Sequence, residues 1–140
     1  MSRYVNPPEL PAPSGFSHAV VPPNGRTVYL AGQTALNREG QIVGGGENPD
    51  MVTQFAQCLS NLLTALAAAG GSAEHLASVR IYIVDVETYK ARAKEIGAVW
   101  RQLAGTRYPA AAGVGVSRLW DDDALVEIEG VAVMPEPAGR

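Results

Sequence analysis

Cysteine occurs once in this chain, at Cys58. A lone thiol excludes an internal disulfide and any zinc site built on cysteine pairs. Histidine is nearly as scarce: His18 and His75 cannot supply a three-histidine metal centre. Basic charge is also short, with 11 Lys and Arg against 14 Asp and Glu and a net charge of −3. No electrostatic footprint for nucleic acid or an anionic membrane results, so both are disfavoured as partners. The longest near-apolar run, Leu62 to Ala69, is far shorter than the roughly 20 residues of a membrane-spanning helix. The opening stretch MSRYVNPPELPAPSG is too polar and proline-rich for a signal peptide. The expected protein is soluble and cytoplasmic.

What is present is a hydrophobic fraction of 46% in 140 residues, enough for one domain spanning 1–140 with a single core. Pro7, Pro8, Pro11 and Pro13 make residues 1–15 an extended arm, and 134–140 read as a C-terminal tail. Phe16 to Val21 and Thr27 to Ala31, separated by Pro22-Pro23-Asn24-Gly25, predict a hairpin. A short strand is expected at Gln41 to Val43. Pro49 to about Ala69 predicts a helix capped by Asn48, with Val52, Phe55, Leu59, Leu62, Leu63 and Leu66 on one apolar stripe. Ala77 to Val84 alternates as a strand, with Arg80 and Tyr82 on one face. Glu87 to Leu103 predicts a second helix, and Ala110 to Ser117 and Ala124 to Val133 two final strands. The order β-β-α-β-α-β-β is an α+β domain with both helices on one face of one sheet. The other face needs a cover, and a second copy of the chain is the economical one.

Motifs for chemistry are few. Gly44-Gly45-Gly46 lacks the Gly-Lys-Ser/Thr of a phosphate-binding loop, and no serine elbow is present. Glu127 and Glu129 share a strand face with Leu125, Val131 and Val133. Carboxylates on a partly apolar face are paired, exposed or used, so the pair is either a solvent-facing edge or a general base at an interface. Arg80 and Tyr82 form either part of an anion pocket or a solvated arginine beside a core-edge tyrosine. For His18 and Cys58 the structural reading outweighs the catalytic one, and Asp121-Asp122-Asp123 reads as a solvated turn rather than a metal site.

An ordered set of segments spans residues 14 to 133: Phe16-Ser17-His18-Ala19-Val20, Val28-Tyr29-Leu30-Ala31-Gly32-Gln33, Leu59-Ser60-Asn61-Leu62, Ala68-Ala69-Gly70, Ile81-Tyr82-Ile83-Val84-Asp85, Tyr108-Pro109-Ala110, and Val126-Glu127-Ile128-Glu129-Gly130-Val131-Ala132. Each is weak alone; together they resemble the RidA/YjgF family, formerly named endoribonuclease L-PSP. The resemblance implies a chorismate-mutase-like fold, a homotrimer with clefts between subunits, and hydrolysis of enamines and imines such as 2-aminoacrylate without cofactor or metal. It implies that Glu127 positions the water, that the Gly32 backbone lines the cleft and that Tyr82 lines the pocket. Phe16 stands where the resemblance implies a tyrosine.

The sharpest departure follows Pro109-Ala110: Ala111 stands where deaminases carry an arginine that forks the substrate carboxylate. Charge-assisted hydrogen bonds contribute roughly 1.5–3 kcal/mol each, so the loss predicts weak activity on 2-aminoacrylate itself. Arg80, on the face of Tyr82, is the expected replacement anchor. The leading expectation is a trimeric small-molecule protein hydrolysing another enamine or imine. The alternatives are a trimer that binds a ligand without chemistry and, disfavoured by charge, a ribonuclease.

Overall fold

The computed structural model describes residues 1–137. Two strands, β1 (Arg3–Val5) and β2 (Ala19–Val21), pair antiparallel with each other. A four-stranded sheet contains β3 (Gly25–Gln33), β4 (Leu76–Ile83), β5 (Ala110–Gly115) and β6 (Val126–Pro135), in the order β3-β6-β4-β5. The β4–β5 pair is parallel, and the β3–β6 and β4–β6 pairs are antiparallel. Between them lie α1 (Met51–Ala68), α2 (Val86–Ala91) and α3 (Ala93–Ala104). The last three residues of the expected tail, 138–140, lie outside the described residues.

The core lies between one sheet face and the helices. Val126, Ile128 and Ala132 of β6 are fully buried, as are Phe55, Leu59, Leu62 and Leu66 of α1. Each of these side chains other than the Ala132 methyl contributes about 1.5–3 kcal/mol by leaving water. Alternation along β6 then turns Glu127, Glu129, Val131 and Val133 to the opposite face, where all are half-buried. Among the described residues, no helix is long and apolar enough to cross a membrane.

Several details differ from the sequence reading. The expected hairpin does not form, because β2 pairs with β1 while β3 pairs with β6. Pro22 and Pro23 cannot donate to a ladder, and Gly25 starts β3 where a Cβ would collide with the Met134 carbonyl. The N-terminal arm is consequently tied down at Arg3–Val5. The cap of α1 is Asp50, not Asn48: its carboxylate accepts the Thr53 N–H at 2.8 Å. The expected second helix is broken at Arg92, whose side chain reaches Asp50 at 3.1 Å and Glu95 at 2.6 Å. Finally, Pro135 ends β6, and Gln41 to Val43 is reduced to a bridge between Leu36 and Ile42.

Candidate functional site

The register of β4 against β6 sets Tyr82 opposite Glu127 and Arg80 opposite Glu129 on the helix-free face. Tyr82 Oη donates to Glu129 Oε1, and Arg80 Nη1 lies 3.9 Å from the same oxygen. Glu129 is therefore engaged. Glu127 is different: among the described residues, no side-chain or backbone donor bonds to its carboxylate and no cation lies within 4.0 Å. Burial raises the Glu127 carboxyl above its ordinary range, and the charges of Glu129 and Asp121 add to the effect. The Tyr82 phenol is raised first by the proton it donates to Glu129.

Gly32 completes this group from the other side. The β3–β6 ladder slips between Leu30 and Gln33, an irregularity that places Gly32 against Glu127. A Cβ on residue 32 would collide with Glu127 Oε2, so glycine is what lets the backbone and carboxylate stand together. The structure thus brings Glu127, Gly32, Tyr82 and Arg80 to one face.

The remaining expected residues lie elsewhere within the subunit. Ala111 pairs with Val79 and lines a cavity on the helix side of the sheet. Phe16 packs edge-to-face on His18 at 5.2 Å. The His18 ring bonds to the Pro11 carbonyl at 2.8 Å, and its backbone N–H to Asn6. Cys58 is fully buried, its thiol facing the Val126 carbonyl and pushed up to about 12 by burial. Among the described residues, no group of His, Cys, Asp and Glu is placed to hold a metal ion.

Two polar residues of α1 fix the loops beside the site, and the sequence reading placed neither among its site residues. Asn61 Nδ2 donates to the carbonyls of Thr34 and Leu36, holding the chain that follows Gly32. Gln54 is fully buried; its amide donates to the carbonyls of Gly44 and Asp123 and accepts the Leu125 N–H. It ties the loop before α1 to the turn before β6. Thr34 also donates to Asp121 at 2.7 Å, so one residue of the acidic turn is recruited inward. Both lie off the apolar stripe of α1, among residues that helical periodicity assigns to the polar side, so the sequence pattern carried no signal for these roles.

Comparison with known proteins adds relatives to this geometry. Residues 8–134 match the family described as Endoribonuclease L-PSP. A RutC family protein of Pyrococcus horikoshii is 31% identical over 134 residues, covering 94% of this chain and 98% of the relative. A 2-iminobutanoate/2-iminopropanoate deaminase of Capra hircus is 30% identical over 133 residues, covering 94% of this chain and 89% of the relative. The crystal structure of a Rid family protein of unknown function, YyfB of Yersinia pestis, superposes with a TM-score of 0.83. It is 35% identical and covers 95% of this chain and 98% of that one.

Proposed function

The chain belongs to the Endoribonuclease L-PSP family, also called RidA/YjgF, and on that premise we propose that it hydrolyses a reactive imine to a carbonyl compound and ammonia. Its α+β architecture is the chorismate-mutase-like one of the family's structures. The observation that carries the reading is the half-buried Glu127 carboxylate beside Gly32, without a partner among the described residues. An imine carbon is already electrophilic, so the protein has only to orient a water and hold the substrate. Glu127 takes a proton from the water as its oxygen bonds to the imine carbon. The proton passes to nitrogen to give a carbinolamine; Glu127 then carries the hydroxyl proton to the amino nitrogen, and the C–N bond breaks to release ammonia as the carbonyl forms. A raised proton affinity suits a group that takes a proton and then returns it.

Tyr82 shapes the floor, and Arg80, two-thirds exposed and only loosely paired, offers a cation for a substrate anion. Ala111 lies on the opposite face of the same sheet, so it and Glu127 share a cleft only if neighbouring subunits meet there. In this reading Phe16 shapes that shared cleft with Ala111. A homotrimer answers this need, and the exposure of Tyr29 (82%) and Trp120 (92%) supports a partner surface. Light scattering at micromolar concentration is expected to give three chain masses; a single chain mass overturns this assembly.

The test of function is hydrolysis of imines generated in situ from a panel of amino acids and amines. Acceleration by the native protein and loss in Glu127→Gln support the enzyme. No acceleration for any imine, from a folded oligomer, leaves a ligand-binding protein, the reading that Ala111 favours. The ribonuclease reading is opposed by the acidic group of Glu127, Glu129 and Asp121, which would repel phosphates.

A further inference from the structure

Of the three acids in the turn before β6, Asp121 is half-buried, while Asp122 and Asp123 are exposed. The three are also held differently. Arg118 answers the Asp122 carboxylate at 2.5 Å. Asp123 is held through its carbonyl, which accepts the Gln54 amide at 3.0 Å. Asp121 takes its hydrogen bond from a neutral group, the Thr34 hydroxyl, at 2.7 Å. Among the described residues, no cation lies within 4.0 Å of the Asp121 carboxylate. Its charge is therefore oriented without being cancelled.

Thr34 carries that charge to the Glu127 group. It is buried, and its carbonyl accepts from Asn61 Nδ2 at 3.2 Å. It follows Gly32 by two residues, and Gly32 stands against Glu127 Oε2. Two residues of extended chain span about 7 Å, comparable with the roughly 8–10 Å over which exposed charges act in salt. The Asp121 charge accordingly raises the proton affinity of Glu127, after burial and Glu129. The other groups facing Glu127 are committed. Glu129 of β6 is engaged by Tyr82 and Arg80 of β4, and the Tyr82 proton is given to that bond. From β3 comes Gly32, which has no side chain. Cys58 of α1 lies on the helix side, its thiol pushed up to about 12 by burial.

We propose that Thr34 and Asp121 form a positioning pair for Glu127: the hydroxyl holds the aspartate charge where it strengthens Glu127 as the base that takes a proton from water. The proposal rests on imine hydrolysis at Glu127. Two neighbouring anions repel, so Glu127 accepts a proton at a higher pH than it would alone. A base whose proton affinity lies closer to the working pH is the more effective one. Asp121 acts through Glu127 and not on the reacting atoms.

The experiment follows the side-chain carboxyl ¹³C resonance of Glu127 against pH in the full-length protein, assigned by its loss in Glu127→Gln. Asp121→Asn keeps an acceptor for Thr34 and removes the charge. The Glu127 midpoint is then expected to fall by about half a pH unit, as loss of a like charge across partly solvated space does. Thr34→Val, which releases the aspartate without removing it, is expected to move the midpoint the same way by less. Asp122→Asn, one residue along the turn, is expected to leave it in place. The acidic limb of the kcat/KM profile for imine hydrolysis is expected to follow the midpoint in each variant. A midpoint unmoved by Asp121→Asn overturns the proposal. So does an equal fall in Asp122→Asn, or a limb that stays in place while the midpoint falls. The titration needs no substrate, so a protein that hydrolyses no imine would overturn the function proposed above while the midpoint still decides the pair.

Discussion

Gly32 and Glu127 stand against each other across the β3–β6 pair, and the carboxylate occupies the space that a Cβ at position 32 would need. The backbone of one strand therefore fixes where the carboxylate of the next can be. Gly32→Ala is expected to displace the Glu127 carboxylate and reduce kcat for imine hydrolysis by at least tenfold, as misplacement of a reacting group does. The clashing atom ends a flexible side chain, so the fold is expected to persist with a small change in Tm. Preserved kcat would show that the carboxylate does not need its present position.

Glu127 also leaves a signature in stability. Its folded proton affinity is raised, chiefly by burial. Its contribution to folding is thus complete below the ordinary glutamate pKa and is lost as pH rises through the folded value. Glu127→Gln removes the charge while keeping the shape. Its Tm is expected to exceed that of the native protein at pH 7 and to match it near pH 4. Equal stability at both pH values would place Glu127 in a solvent-like environment.

Asp50 has the opposite sign. Hydrogen bonds from Thr53, and then from Arg92, hold its carboxyl below the usual range. The stability it confers is present above the ordinary aspartate pKa and fades as pH falls toward the lowered value. Asp50→Ala is expected to cost about 1 kcal/mol at neutral pH in urea unfolding, as loss of a helix cap does. The difference from native should shrink toward pH 2.

Gln54 is the buried polar residue with the largest structural consequence. Gln54→Leu would leave the carbonyls of Gly44 and Asp123 and the N–H of Leu125 without partners. A loss of about 2–4 kcal/mol is expected, because buried groups stranded without partners cost their full desolvation. Urea unfolding measures it. A loss below about 1 kcal/mol would mean that water replaces the amide.

Cys58 is expected to resist thiol reagents in the native protein and to react fully in denaturant. Burial holds its thiol protonated, up to about 12, and shields it from solvent. Rapid native labelling would reveal opening of α1 away from β6.

The long elements were legible because their local pattern and their burial agree. The apolar spacing of α1 and the alternation of β4 and β6 each point to one face. The hairpin was misread because two adjacent strand-like runs with a turn between them do not specify which strand each will pair. β1, short and proline-flanked, carries almost no periodic signal, yet it takes β2. The break at Arg92 was invisible for a related reason: no glycine or proline marks it, and its side-chain partner Asp50 is far away in sequence.

By itself the sequence determined the α+β class, the family, and which side chains share a strand face, since these depend on composition, ordered motifs and a period of two. Parity within each strand set Arg80 with Tyr82 and Glu127 with Glu129, while the link between the two pairs rested on the family resemblance alone. Only the tertiary structure decided that Glu129 is occupied while Glu127 has no partner among the described residues, because pairing depends on the register between β4 and β6. It alone separated Ala111 from that group and set it over a cavity with Lys94, Trp100 and Arg101. Parity orders the faces within a strand, but the pairing of strands and the packing of a helix decide which faces meet.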